Sequence, residues 1–224
     1  MPARLDSINL AGPDEILHGA WTGRVGRTGI GKKPVAGPVA TGHEQLAGDT
    51  ICDVDHHGAA DQAVYAYASE DAAWWAEELS RAVDPGAFGE NFTTSGLDVT
   101  GAVIGQRWAI GTAVFEVSVP RTPCRTFAGF WDVPNLVKRF TAVGRPGAYL
   151  RIFTPGQVQA GDPVEIVHTP AHGVTIAETF RALTGDRALA ARLLEAPELP
   201  AEAHANARKW LAKAGRPRVK AGSA

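Results

Sequence analysis

Cys124 lies in the run Pro120-Arg121-Thr122-Pro123-Cys124-Arg125, and no other stretch of the chain says as much about chemistry. A thiol between guanidinium groups is biased toward thiolate, the form that ligates metals and attacks electrophiles. The prolines predict an extended backbone that stays out of a helix. The run follows a strand-like segment, so the sulfur is expected at a strand end. The competing reading is a buried structural cysteine, the commonest setting for a free thiol.

Four other loops hold reactive or charged groups. Residues 48–58 (GDTICDVDHHG) bring acids, histidines and Cys52 together. These are zinc and iron ligand types, but the spacing matches no standard zinc motif. Asp49 and Asp53 also read as turn formers. His57 reads as an acid–base or hydrogen-bonding group beside Cys124. In Gly86-Ala87-Phe88-Gly89-Glu90-Asn91-Phe92-Thr93 two polar side chains sit among aromatic ones, and buried polar groups need partners. That pattern predicts a site loop built on Glu90 and Asn91. Gly144-Arg145-Pro146-Gly147 offers a rigid turn with a guanidinium suited to an anion. Gly29-Ile30-Gly31-Lys32-Lys33-Pro34 offers flexible backbone and ammonium groups, without the spacing of a phosphate-binding P-loop or a dinucleotide fingerprint. If Lys32, His57, Arg121, Cys124, Arg125 and Arg145 converge, they make a cationic pocket with one thiolate. Its natural guest is an anionic, sulfur-binding centre or a phosphorylated cofactor.

The elements that must position these loops are mainly strands. Ala113–Val119 alternates apolar and polar residues, the period of a half-buried strand. Tyr149–Phe153 and Val164–Val167 are further strands, separated by the Gly161-Asp162-Pro163 turn. Val35–Val39 is strand-like, but its prolines confine it to an edge. One substantial helix, 69–82, is predicted before residue 168, with Ser69 as a cap and acids in its first turn. Beyond Pro170 the chain turns alanine-rich and helical, opening on the capping box Thr175-Ile176-Ala177-Glu178. The expected organisation is α+β, mainly β: a barrel-like domain over 1–168, a three-helix domain over 169–215 and a basic tail over 216–224. The three helices match the outline of a DNA-reading helix-turn-helix, but few cations favour a small bundle packed on the barrel or on another subunit. Ile176, Phe180 and Leu183 form an apolar face that would suit a homodimer.

The 224 residues carry a formal net charge of -2, which argues against a general grip on nucleic acid or an anionic membrane. No apolar run reaches the roughly 18 residues of a membrane span. Two cysteines are too few for a disulfide framework, so a reducing cytoplasm is the expected compartment.

The order of these motifs resembles the MOSC domain family, named for the C-terminal domain of molybdenum cofactor sulfurases, and within it the stand-alone YiiM-type proteins. The resemblance runs through Lys32-Lys33-Pro34-Val35, Leu46-Ala47-Gly48-Asp49, His57-Gly58-Ala59, Phe88-Gly89-Glu90-Asn91-Phe92, Gly105, Pro120-Arg121-Thr122-Pro123-Cys124, Arg145-Pro146-Gly147 and Gly161-Asp162. It implies a β-barrel-like fold with helices around it and binding of the molybdenum cofactor (molybdopterin). Cys124 would be the molybdenum ligand or a carrier of sulfane sulfur, and His57 and Lys32 would be polar groups near the metal or substrate. Arg121, Arg125 and Arg145 would neutralise the pterin phosphate, and Asp49, Glu90 and Asn91 would shape the pocket. The implied activity is reduction of small N-hydroxylated compounds such as hydroxylaminopurines. Electrons would come from an external reductase, since the chain has no flavin, haem or iron–sulfur motif. A non-catalytic carrier of cofactor or sulfur is the alternative. Ala59 stands where the family pattern has a second glycine, and its β-carbon would cost about 1 kcal/mol or more in a left-handed loop.

Overall fold

A computed structural model describes residues 2–53 and 60–214. The strands are β1 (Arg4–Leu10), β2 (Leu17–His18), β3 (Arg27–Thr28), β4 (Lys33–Pro34), β5 (Val39–Ala40), β6 (Val64–Ala68), β7 (Phe92–Ser95), β8 (Arg107–Ile110), β9 (Ala113–Pro120), β10 (Ala148–Thr154), β11 (Gln157–Val158) and β12 (Val164–His168). The helices are α1 (Ser69–Leu79), α2 (Arg125–Trp131), α3 (Leu136–Val143), α4 (Ile176–Thr184), α5 (Ala190–Leu193) and α6 (Ala201–Ala214).

Eight strands form one sheet in the order β12-β8-β9-β10-β6-β7-β1-β4. Every pairing in it is antiparallel except β6 with β7, where α1 supplies the crossover. The class is α+β, as expected, but the sheet is not a closed barrel. β1 reaches the β12 end through one isolated bridge, Arg4 to Pro163. Backbone bonds from Leu5 N to the Asp162 oxygen (2.9 Å) and from Gly161 N to the Leu5 oxygen (2.7 Å) flank it. Val164 N donates to the Ala3 oxygen at 3.0 Å on its other side, while Pro163 itself has no N–H to add to the ladder.

Both faces of this sheet are covered. The inner face packs Ile8, Val64, Phe92, Trp108, Phe115, Val117 and Leu150 into one core. The outer face carries a second, aromatic core of Tyr65, Tyr67, Trp75, Phe88, Phe127, Trp131, Phe140 and Phe180, assembled from β6, α1, the 86–91 loop, α2, α3 and α4. Covering both faces explains why the alternation in β9 is incomplete in burial. Phe115 and Val117 are fully buried as predicted, yet Glu116 and Ser118 on the opposite side are buried too. Glu116 is accommodated there by ion pairs with Arg107 and Arg151, both at 3.0 Å.

The capping box of α4 forms as read: Glu178 N donates to Thr175 Oγ1 at 3.1 Å, and Thr175 N to Glu178 Oε2 at 3.0 Å. Ser69 does not cap α1; Ala68 holds that position and no side chain caps the helix. α2 and α3 correct the expectation of a single helix in this part of the chain. The C-terminal helices share the inner core with the sheet, through Ile176, Ala182, Leu193, Leu199 and Ala207. Ile176 and Phe180 are thus consumed inside the chain, and the dimer face expected from them is not available.

Candidate functional site

The outer face of the sheet and the loops above it enclose a cavity of about 140 Å³. Its wall includes Lys32, Asp49, Asn91, Arg121 and Cys124, together with Arg27, Cys52, Asp53, Gln62, Tyr65, Phe88 and Tyr149. Five of the residues singled out in the sequence therefore meet in one place.

Cys124 is exposed. It occupies the N-cap position of α2 with extended backbone (φ -125°) and makes no side-chain capping bond, so its sulfur is uncommitted. The helix begins immediately after it, because Pro123 lies outside the helix, where a missing N–H costs nothing. β9 ends at Pro120, so the sulfur does stand just beyond a strand end.

Arg121 leaves the same strand end and points inward. It is 5% exposed, and its guanidinium carbon sits 3.8 Å from the centre of the Phe127 ring. Its Nη1 is buried and has no hydrogen-bond partner among the described residues. A buried cationic donor left unpaired is costly, and such groups mark places where a partner belongs.

Lys32 differs. Its Nζ donates to both oxygens of Asp49, at 2.5 and 2.6 Å. Asp49 also accepts from Ala11 N at 2.9 Å and Asn91 Nδ2 at 2.8 Å. Asn91 completes the chain by accepting from Tyr65 N at 3.1 Å and donating to the Asn9 carbonyl at 3.2 Å. This buried network ties β1, the 46–50 turn, the 86–91 loop and β6 together, and it consumes the Lys32 charge. Among the described residues, Arg27 and Arg121 are the cavity-wall cations with no ion pair.

Glu90 lies behind the wall, 1% exposed. Its carboxyl accepts from Gly86 N (2.7 Å), Phe88 N (2.9 Å) and Thr93 Oγ1 (3.0 Å), which folds the loop onto itself. Burial outweighs these donors and pushes its pKa up to about 7. Cys52, half-buried, has its thiol pushed up by burial, against the pull of Arg27 and Lys32. Two expected residues stand elsewhere. Arg145 pairs with Asp71 at 3.2 Å and lies over Trp74, and Arg125 is exposed on the first turn of α2; neither lines the cavity. His57 and Ala59 lie outside the described residues. Among the described residues, no three His, Cys, Asp or Glu side chains cluster to hold a metal, so a protein-only zinc or iron site is not formed by them.

Reasoning from the sequence missed Tyr65, Tyr149, Gln62 and Arg27. The tyrosines carried a signal: each occupies the alternate position to an inner-core residue on its strand.

Residues 53–165 match the family model of the MOSC domain, and the chain belongs to that family. It is 34% identical over 170 residues to YflK of Bacillus subtilis, a match covering 76% of each chain. Its fold is similar to the crystal structure of YiiM from Geobacillus stearothermophilus, with a TM-score of 0.77, 32% identity, and coverage of 94% of this chain and 100% of that one. A protein named "Reductase" from Gibberella moniliformis is 28% identical over 189 residues, which is 83% of this chain and 33% of that protein.

Proposed function

We propose that this protein binds the molybdenum cofactor in the cavity, with Cys124 as the metal ligand, and reduces small N-hydroxylated compounds with electrons from an external reductase. The observation that carries the reading is the pairing of an uncommitted, exposed Cys124 with the unpartnered Nη1 of Arg121 in one cavity. Membership of the MOSC family points to a function related to the molybdenum cofactor, and the name of the fungal relative is in keeping with a reductive one.

The residues fit such a guest. A thiolate ligates a soft metal, and a buried guanidinium suits a phosphate oxygen bidentately. When bound, the cofactor would supply two-electron oxygen-atom acceptance from the N–O bond. The chain would supply the rest. Cys124 would fix the metal at the cavity mouth, and Arg121 would hold the anionic end of the cofactor. Asp49 and Asn91 would keep Lys32 and the cavity wall in register. His57 is proposed to relay the hydroxyl proton to the nitrogen as the N–O bond breaks. A cytoplasmic setting suits a reduced thiol; no helix among the described residues is long and apolar enough to cross a membrane.

The test is anaerobic isolation, elemental analysis for molybdenum, and assay of a hydroxylaminopurine with an artificial electron donor. Cys124→Ser is expected to lose both metal and turnover, and retention of both would overturn the reading. Metal without turnover in the unaltered protein would replace it by the carrier reading.

A further inference from the structure

Three aromatic rings line the cavity: Tyr65, Phe88 and Tyr149. Two of them are already committed. Phe88 is 1% exposed and stacks on Tyr67, with ring centres 4.6 Å apart and planes 26° from parallel. Tyr65 is 3% exposed, and its hydroxyl donates to the Pro146 carbonyl at 2.8 Å. Tyr149 alone of the three is partly open. Tyr65 backs it, with ring centres 5.2 Å apart and planes at 37°. Its hydroxyl has no hydrogen-bond partner among the described residues. It shares the cavity wall with Cys124.

We infer that Tyr149 is a substrate platform: a planar heteroaromatic amine stacks on its open face, with the exocyclic nitrogen turned toward Cys124. A ring held from behind by an anchored neighbour has little freedom left to lose on binding. Stacking of a base on an aromatic side chain is worth about 1–3 kcal/mol and tolerates many ring types. The cavity would thus prefer planar N-hydroxylated heterocycles to aliphatic hydroxylamines of similar size. The reacting group rests on the reductase reading above; the stacking platform does not.

The experiment is a fluorescence titration of the protein as isolated with 2-aminopurine, whose emission is quenched when it stacks. Unaltered protein and Tyr149→Phe are expected to quench it with affinities within threefold of each other. Tyr149→Leu and Tyr149→Met, which keep apolar bulk without a ring, are expected to weaken binding at least tenfold while keeping their molybdenum content and circular dichroism. In turnover, these two variants should raise KM for a hydroxylaminopurine and leave KM for an aliphatic hydroxylamine unchanged. No quenching by unaltered protein, or equal affinity in a folded Leu or Met variant, would overturn the platform. Quenching that depends on Tyr149 in a protein with no reductase activity would remove the reductase reading and leave the platform standing.

Discussion

Arg151 Nε donates to Asp61 Oδ1 at 2.6 Å, and the same guanidinium reaches two further segments: Glu116 Oε1 at 3.0 Å and the Glu198 carbonyl at 2.8 Å. Asp61 belongs to the short turn whose next residues, Gln62 and Ala63, line the cavity. Glu198 precedes the last helix, and its carboxylate accepts from His172 Nε2 at 3.1 Å. Its aliphatic stem fills the space left by Gly105, where an added β-carbon would stand 2.6 Å from Glu198 Cγ. One side chain thus ties the cavity wall, the sheet and the C-terminal helices.

Arg151→Met should accordingly destabilise the protein by about 1–3 kcal/mol, the lower end reflecting partial exposure and the second partner Glu116 keeps in Arg107. Arg151→Lys should recover less than half of that loss, because a point charge cannot replace a planar fork with three acceptors. Urea denaturation of the three proteins reads both numbers.

Lys32→Met should cost more, about 3–5 kcal/mol, since it leaves Asp49 buried without its counter-charge. Adding Asp49→Asn should restore part of the loss, by removing the stranded charge and keeping an oxygen for Ala11 N, the rest being held back because its amide nitrogen then faces the Asn91 Nδ2 donor. An unfolding midpoint for the double variant no higher than for Lys32→Met would mean that the ion pair is not what the lysine contributes.

How much of this could be read beforehand follows from range. Cys124, Arg121, Lys32, Asp49 and Asn91 were legible because ligand types and buried polar groups stand out in any sequence, and they do meet in one cavity. The short-range rules also worked where they were strongest, in the β9 alternation and the α4 capping box. They failed where a local signal had two meanings. The prolines around Cys124 predict an extended run, yet α2 starts directly after them, since proline is excluded from helix interiors and not from their approach. The neutralisation of Lys32 depends on a partner 17 positions away, and the diversion of Arg145 on one 74 away, which no local pattern encodes.

Glu90 gives the pH prediction. Its folded pKa of about 7 lies above the 4.5 of an unperturbed glutamate, so the folded state holds the proton more tightly than the unfolded chain. Stability from this group is therefore fully present below pH ~4.5 and is lost as pH rises toward ~7, a change of about 3 kcal/mol. Glu90→Gln should flatten that part of the profile. Chemical denaturation at half-unit steps from pH 5 to 8 measures it, with the two proteins compared at each pH.

Gly86 supplies the steric prediction. Its φ is +87°, and an added β-carbon would collide with the Lys32 carbonyl oxygen. Gly86→Ala should lower stability by more than about 2 kcal/mol, through left-handed strain and the displaced loop together. Thermal unfolding followed at 222 nm checks it.

The placement of β1 also bears on how the chain is made. This strand is made well before its principal neighbour β7 at Phe92–Ser95, and its bridge to Pro163 closes later still. During synthesis at some 5–20 residues per second, the edge that β7 will cover waits several seconds unpaired, a state that invites mispairing with other chains. The strand order thus sets how long that edge stays open to other chains.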